Sequence, residues 1–456
     1  MKNKRKINED KMKICKKLNS IALASAALIL LLILVSSTAS AAPVQSAQLK
    51  ITETRITTTN SASGPIIFGN RIVYDDNRNG DPNIYIYDLT THKETQITNL
   101  SGQSSESADS PAIYDDKVVW GKTHYVGNRQ ASDIYMYNLS TSKETRITNS
   151  DSAFSPSIYG DKIVWHDYRN VTMPDIYIYN ISISQETQIT SSGTAFYPVI
   201  YGNRIVWNDL RNGTSAIYMY NLSTSKESMI TNTGNAGAYL KMYGDRIVWA
   251  DTKDGNFDIY MYDLSTSRET QITTDKFYKQ YPAIYGDKIV WMDKRSGNWD
   301  IFMYDLSTSR ETQIATEKSD KQYPAIYGDK IVCQDSRNGF WDIYMATLSY
   351  LPIAAFSTTP TCGNAPLKVN FIDKSMGSPT SWKWIFGDGT NSTEQNPEHT
   401  YSKTGNYTVN LTVSNADGMD TKSSEINVQS TPNTIPCGFN FLILGMLVLY
   451  LWKKSN

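Results

Sequence analysis

The residues able to do chemistry in this 456-residue chain are mostly repeated ones. Asp167, Asp209, Asp251, Asp293 and Asp335 recur every 42 residues, and Asp76 stands ahead of them in the same local phrase. Arg78, Arg169, Arg211, Arg295 and Arg337 each lie two places after one of these aspartates, whereas the second copy of the phrase carries Lys122 where the aspartate should be. A further acidic position precedes Ile-Tyr or Ile-Phe at Asp133, Asp175, Asp258, Asp300 and Asp342. A ring of carboxylates could bind cations or sugars. Alternatively, each aspartate caps its own turn and pairs with arginine inside one hairpin. Recurrence in nearly every copy favours the second reading, because one binding site needs few copies whereas every hairpin needs its own turn chemistry.

Other catalytic sets are sparse. His92, His124 and His166 fall at three different positions of the repeat, so they are not expected to converge on a metal. His399 lies beyond the repeats and reads as a structural hydrogen-bonding residue. No Gly-x-Ser-x-Gly elbow marks a hydrolase nucleophile. No catalytic residue, metal or cofactor is expected.

The elements that carry these residues follow from the repeat. Ile-Val-Trp or a close variant occurs seven times, its third residue falling at Tyr74, Trp120, Trp165, Trp207, Trp249, Trp291 and Cys333. In the copy from Tyr281 to Ala315, four short stretches rich in β-branched and aromatic residues are separated by Gly, Asp, Asn and Ser clusters. They predict strands at Pro282 to Tyr285, Lys288 to Asp293, Asp300 to Leu306 and Glu311 to Ala315, the last polar and outermost. A period near 40 made of four strands and no helix predicts an all-β, seven-bladed β-propeller. Glu-Thr-x-Ile-Thr begins at Glu53, before the first full copy, and is missing after the last. The N-terminal strand Ile51 to Thr57 is therefore expected to complete the seventh blade beside Asp342 to Leu348, a three-plus-one closure.

The repeated phrase resembles that of TolB-type (WD40-like) propellers and of archaeal and bacterial surface proteins that share it, over about 300 residues. The resemblance implies the fold. It implies no single activity, since such propellers serve as scaffolds, receptors and enzymes.

The flanks suggest export. Residues 1–42 hold eight Lys or Arg within the first 17, an apolar run from Ile21 to Val35 and a small-residue stretch, the pattern of a signal peptide. The propeller is expected over 43–351. A second domain, 352–430, contains Trp382 to Gly389, His399-Thr400-Tyr401 and Gly405 to Val413; it resembles the PKD domain, which implies an immunoglobulin-like β-sandwich used as a spacer or adhesive module. Tyr407, Val409, Leu411 and Val413 form one apolar face there, and Trp384 is a candidate core residue. Residues 431–456 read as a linker followed by a short apolar run and Lys453-Lys454, a C-terminal transmembrane anchor or a sorting tail. Asn99, Asn138, Asn170, Asn180, Asn212, Asn221, Asn391, Asn406 and Asn410 head glycosylation sequons. Cys15, Cys333, Cys362 and Cys437 show no spacing of a disulfide framework.

The formal net charge is −1, with cations concentrated at the two ends, which argues against nucleic acid as a partner. Tyrosine is abundant at 30, mostly in repeat positions that pack between blades. The order of segments points to a non-enzymatic cell-surface protein, anchored to the membrane by its C-terminus and serving adhesion, envelope organisation, or protein and glycan binding. An extracellular polysaccharide-acting enzyme and a structural surface-layer component are the alternatives.

Overall fold

The structure, a computed structural model, describes residues 47–100, 106–126, 129–169, 173–234, 238–253, 255–315 and 317–430. The proposed signal peptide, the C-terminal anchor or sorting tail and the sequon at Asn170 lie outside the described residues. Among the described residues no helix is long and apolar enough to cross a membrane. Two compact units are present, Leu49–Ser349 and the segment from Tyr350 onward.

The first unit consists of seven four-stranded antiparallel sheets. The sixth blade, Lys279–Tyr285, Lys288–Asp293, Asp300–Asp305 and Arg310–Gln313, is representative. Its innermost strand starts three residues earlier than the alternation predicts, because a bulge between Gln280 and Ala283 lets the ladder skip and resume. The outermost strand is shorter than expected. Ile314 turns inward from its end and is 4% exposed, packed among apolar residues of the seventh blade. Both faces of the second strand are buried because each blade stacks on its neighbours: Val290 packs toward blade seven and Ile289 toward blade five. Trp120, Trp165, Trp207, Trp249 and Trp291 are at most 1% exposed. Each is paired across the ladder with Tyr135, Tyr177, Tyr218, Tyr260 or Phe302. Against alanine such an indole stabilises the fold by about 3–5 kcal/mol.

The ring closes as the sequence predicts, with Leu49–Arg55 forming the outer strand of the seventh blade beside Asp342–Tyr350. The chain's leading segment reproduces the local bonds of a covalently continuous blade. Ile56 N–H donates to Ile343 O at 2.8 Å, Thr57 Oγ1 to Asp342 Oδ1 at 3.0 Å and Arg55 Nε to Thr57 O at 2.9 Å. In blade two, Ile147 donates to Ile134 O at 2.8 Å, Thr148 to Asp133 at 2.6 Å and Arg146 Nε to Thr148 O at 2.8 Å. Closure is equally visible at the centre. Phe68, Tyr114, Tyr159, Tyr201, Tyr243, Tyr285 and Tyr327, one from the end of each innermost strand, form an unbroken ring of aromatic contacts with centroids 4.6–5.2 Å apart. Tilted ring pairs at this separation add to what burial alone contributes.

In blade seven the tryptophan position holds Cys333, which is free and 8% exposed, beside a small apolar cavity lined by Glu53, Ile314, Arg337 and Tyr344. Burial pushes its thiol up to about 12, with Asp335 adding to the shift. In the folded chain Cys333 is therefore expected to react with iodoacetamide at pH 8 roughly a thousandfold more slowly than a free thiol. Peptide mass mapping reads the rate, and alkylation at the free-thiol rate would show that the blade opens there.

The second unit is a sandwich of a three-stranded and a five-stranded sheet. Val409, Leu411 and Val413 face its core with Trp384, Phe386 and Tyr401, and Tyr407 packs at the edge. Gly387 has φ +85°, and a Cβ there would lie 2.7 Å from Thr408 O, so the turn requires glycine. One cysteine expectation is corrected: Cys362 is disulfide-bonded. Bridges depend on which loops meet in space, and sequence spacing carried no signal of it.

Candidate functional site

Asp76, Asp167, Asp209, Asp251, Asp293 and Asp335 are each at most 1% exposed. In blade four the Trp207 indole N–H donates to Asp209 Oδ2 at 3.0 Å, while Arg211 N–H donates to Asp209 Oδ1 at 2.9 Å. The Arg211 guanidinium bridges Asp209 and Glu227 of the outer strand and lies 4.1 Å over the Tyr218 ring. Arg78, Arg169, Arg295 and Arg337 repeat this bridge, the last reaching Glu53 of the N-terminal strand. Burial works against ionisation of Asp209, but hydrogen bonds from Arg211, Trp207 and Thr194 outweigh it and hold the carboxyl at about 2. These carboxylates are occupied by their own blades. In blade two, where Lys122 replaces aspartate and pairs with Glu106 at 3.0 Å, the buried Trp120 indole nitrogen finds no acceptor among the described residues.

The second acidic set ties outer strands to their neighbours. Thr148, Thr190 and Thr273 hydroxyls donate to Asp133, Asp175 and Asp258. Lys321, fully buried at the start of blade seven, reaches Asp300 at 2.9 Å, and Lys279 lies 3.2 Å from Asp258.

The histidines are scattered. His92 is exposed on an outer turn, where its ring lies 3.4 Å from the Tyr87 hydroxyl, and His124 is 3.7 Å from Asp151. His166 is 4% exposed, and burial pushes it down to about 4, so it is neutral and its Nδ1 accepts the Tyr197 N–H at 3.4 Å. His399 stacks on Phe386 and lies 2.7 Å from Asp388. Of the sequon asparagines, Asn138, Asn180 and Asn221 occupy the same outer turn in blades two, three and four, each accepting backbone N–H groups of the turn. Asn99, Asn212, Asn391 and Asn406 are exposed, and Asn410 is half-buried.

Residues that depart from the repeat gather elsewhere, around the beginnings of the innermost strands. Each of these strands touches the next around the ring, so they line the central channel. At each bulge one residue adopts a left-handed backbone: Gly64, Ser110, Ser155, Tyr197, Tyr239, Tyr281 and Tyr323, with φ between 51° and 63°. Glycine adopts this freely; tyrosine does so at a cost of order 1 kcal/mol, and such strain collects at ligand-binding places. The bulge N–H is caught by a side chain of the preceding blade: Gly64 by Gln334 at 3.1 Å, Tyr197 by His166 and Tyr323 by Met292 at 3.3 Å. Tyr239 and Tyr281 stack with centroids 3.6 Å apart, and Tyr281 meets Tyr323 edge-on at 4.6 Å. Burial raises the Tyr281 phenol, with hydrogen bonds to Tyr239 and Tyr323 adding to it. At the wall made by blades one and two, burial pushes Asp75 up to about 6, its Ser63 hydrogen bond opposing and the Asp109 charge adding. Sequence reasoning missed these tyrosines. The available signal was proline directly after six of the seven positions, since proline inside a strand marks a bulge.

Comparison with known proteins supports both units. A family described as "PKD domain" matches residues 351–430. Collagenase ColA of Bacillus cereus is 40% identical over 82 residues, 16% of this chain and 8% of that protein. The pre-pro-metalloprotease PrtV of Vibrio cholerae is 36% identical over 112 residues, 24% of this chain and 12% of that protein. The chain thus spans about a tenth of the length of these relatives. Among solved structures, an oligogalacturonate lyase in complex with manganese superposes with TM-score 0.51 at 13% identity, covering 67% of this chain and 97% of that one. That likeness concerns the fold. The chain is an all-β protein in which seven four-stranded sheets form a propeller followed by a PKD domain.

Proposed function

We propose that this is a recognition protein acting outside the cell, in which the propeller's channel mouth binds a saccharide and the PKD domain is an accessory module. One observation carries the reading: the left-handed bulge of the innermost strand recurs in all seven blades, but its occupant changes from glycine or serine in blades one to three to tyrosine in blades four to seven, so one side of the channel is lined by aromatic rings. Tyrosine offers an apolar face and a hydroxyl at low entropic cost, which suits a sugar ring. The PKD match is compatible with this reading, as is the similarity of stretches of 82 and 112 residues to a collagenase and a metalloprotease. A signal peptide and a C-terminal anchor would hold the chain at the cell surface.

The full chain is expected to be retained on immobilised extracellular polysaccharides and to release no shortened product. Tyr281→Ser, which installs the residue that blades two and three already carry at Ser110 and Ser155, should weaken retention roughly three- to tenfold with an unchanged melt. Appearance of cleaved sugars would replace this reading with the polysaccharide-acting enzyme.

A further inference from the structure

Lys241 sits on the innermost strand of blade five, Ala238–Tyr243, two residues beyond the strained Tyr239. The bulge-corrected register pairs it with Val248, which makes its counterparts Ile66, Ala112, Ser157, Val199, Ala283 and Ala325. Six blades place a small or apolar side chain there; one places a cation. Lys241 is solvent-exposed, and because its strand is flanked by the innermost strands of blades four and six, the solvent it meets is that of the channel. Its ammonium has no hydrogen-bond or ion-pair partner among the described residues. The other inward lysines of this unit, Lys279 and Lys321, are each held by an aspartate and backbone carbonyls.

Although exposed to the channel, its ammonium is partly desolvated by the channel walls, which holds its pKa below the ordinary lysine value. Two residues away along the same strand stand Tyr239, stacked on Tyr281, and on the other side Tyr243 of the aromatic ring. Aromatic faces next to one point charge suit a sugar ring bearing an acid group. Lysine lacks the planar fork of arginine, so carboxylate and sulfate are equally acceptable to it.

Resting on the saccharide reading above, we infer that Lys241 forms an anion subsite in the channel, selecting saccharides that carry a carboxylate or sulfate. The acid group meets the ammonium while the ring lies on Tyr239 and Tyr281.

The test titrates the full chain calorimetrically with a glucuronate oligosaccharide, a sulfated oligosaccharide and neutral oligoglucose of the same length. Lys241→Ala copies blades two, six and seven, so an unchanged melt is expected. Acidic oligosaccharides should bind the parent chain at least tenfold tighter than the neutral one, and Lys241→Ala should erase that preference while Lys241→Arg retains it. Preference for one acidic probe alone identifies the acid group and still supports the subsite. Equal binding of acidic and neutral probes, or an undiminished preference in Lys241→Ala, overturns the subsite and leaves the saccharide reading standing. Binding of no probe overturns both.

Discussion

A chain lacking residues 49–57 is expected to melt at least 10 °C below the parent. The loss has identifiable parts. Asp342, with a side chain 1% exposed, would lose Arg55 and the Thr57 hydroxyl and keep the Asn60 N–H, leaving a buried charge without its cation. Removing one partner of a buried ion pair costs about 3–5 kcal/mol. Arg337 would lose Glu53, and Leu49 and Ile51 would leave the apolar cluster between blades six and seven. In a domain of this size each kcal/mol lowers the midpoint by roughly 2–4 °C. The exposed third strand of blade seven would also become a free edge, so the truncated chain should associate in a concentration-dependent way. Differential scanning calorimetry with light scattering reads both effects; a parental melt would show that the first strand is dispensable to the ring.

Asp209→Ala is expected to cost about 3–5 kcal/mol, because it leaves the buried Trp207 indole N–H without its acceptor, removes that of the part-buried Arg211 N–H and Thr194 hydroxyl, and takes a buried carboxylate from the Arg211 guanidinium. Saccharide retention at pH 7 by the folded fraction should not change, since Asp209 lies in the blade interior. The pH dependence gives an independent check. Asp209 titrates at about 2 in the folded chain against 3.8 ordinarily, so its contribution is complete above pH 4 and is lost as pH falls toward 2. The difference corresponds to about 2 kcal/mol. Hydrogen bonds likewise hold Asp76 and Asp167 below the usual carboxylate range against the opposing effect of burial, which deepens the same window. Denaturant midpoints at pH 5, 4, 3 and 2 should fall less steeply for Asp209→Asn than for the parent; parallel curves would remove Asp209 from the acid transition.

What could be read from the residues, and what could not, divides along a physical line. The blade count, the closing strand and the Trp-Asp-x-Arg phrase are local patterns, repeated until chance is excluded, and the fold displays each of them. The channel mouth is different. Tyr239, Tyr281 and Tyr323 are 42 residues apart in sequence, and only ring closure makes them neighbours. Their left-handed backbone follows from a bulge whose single outward sign is an in-strand proline, absent in blade five where Leu240 stands. Lys241 looks like any surface lysine until the bulge register aligns it with three alanines. Tyrosine abundance was visible, but packing between blades and lining a lumen produce the same composition.

The latch of blade seven also constrains how the molecule can be made. Glu53 and Arg337 are 284 positions apart, so the strand delivered first must wait for the one delivered last. During vectorial emergence blades one to six can assemble in order, while the leading strand remains a bare β-segment in search of an edge. Such long-range pairing is slow and open to capture by another chain. The charged Lys50, Glu53 and Arg55 along that strand keep it soluble through the wait, and two of them become clasps once it ends.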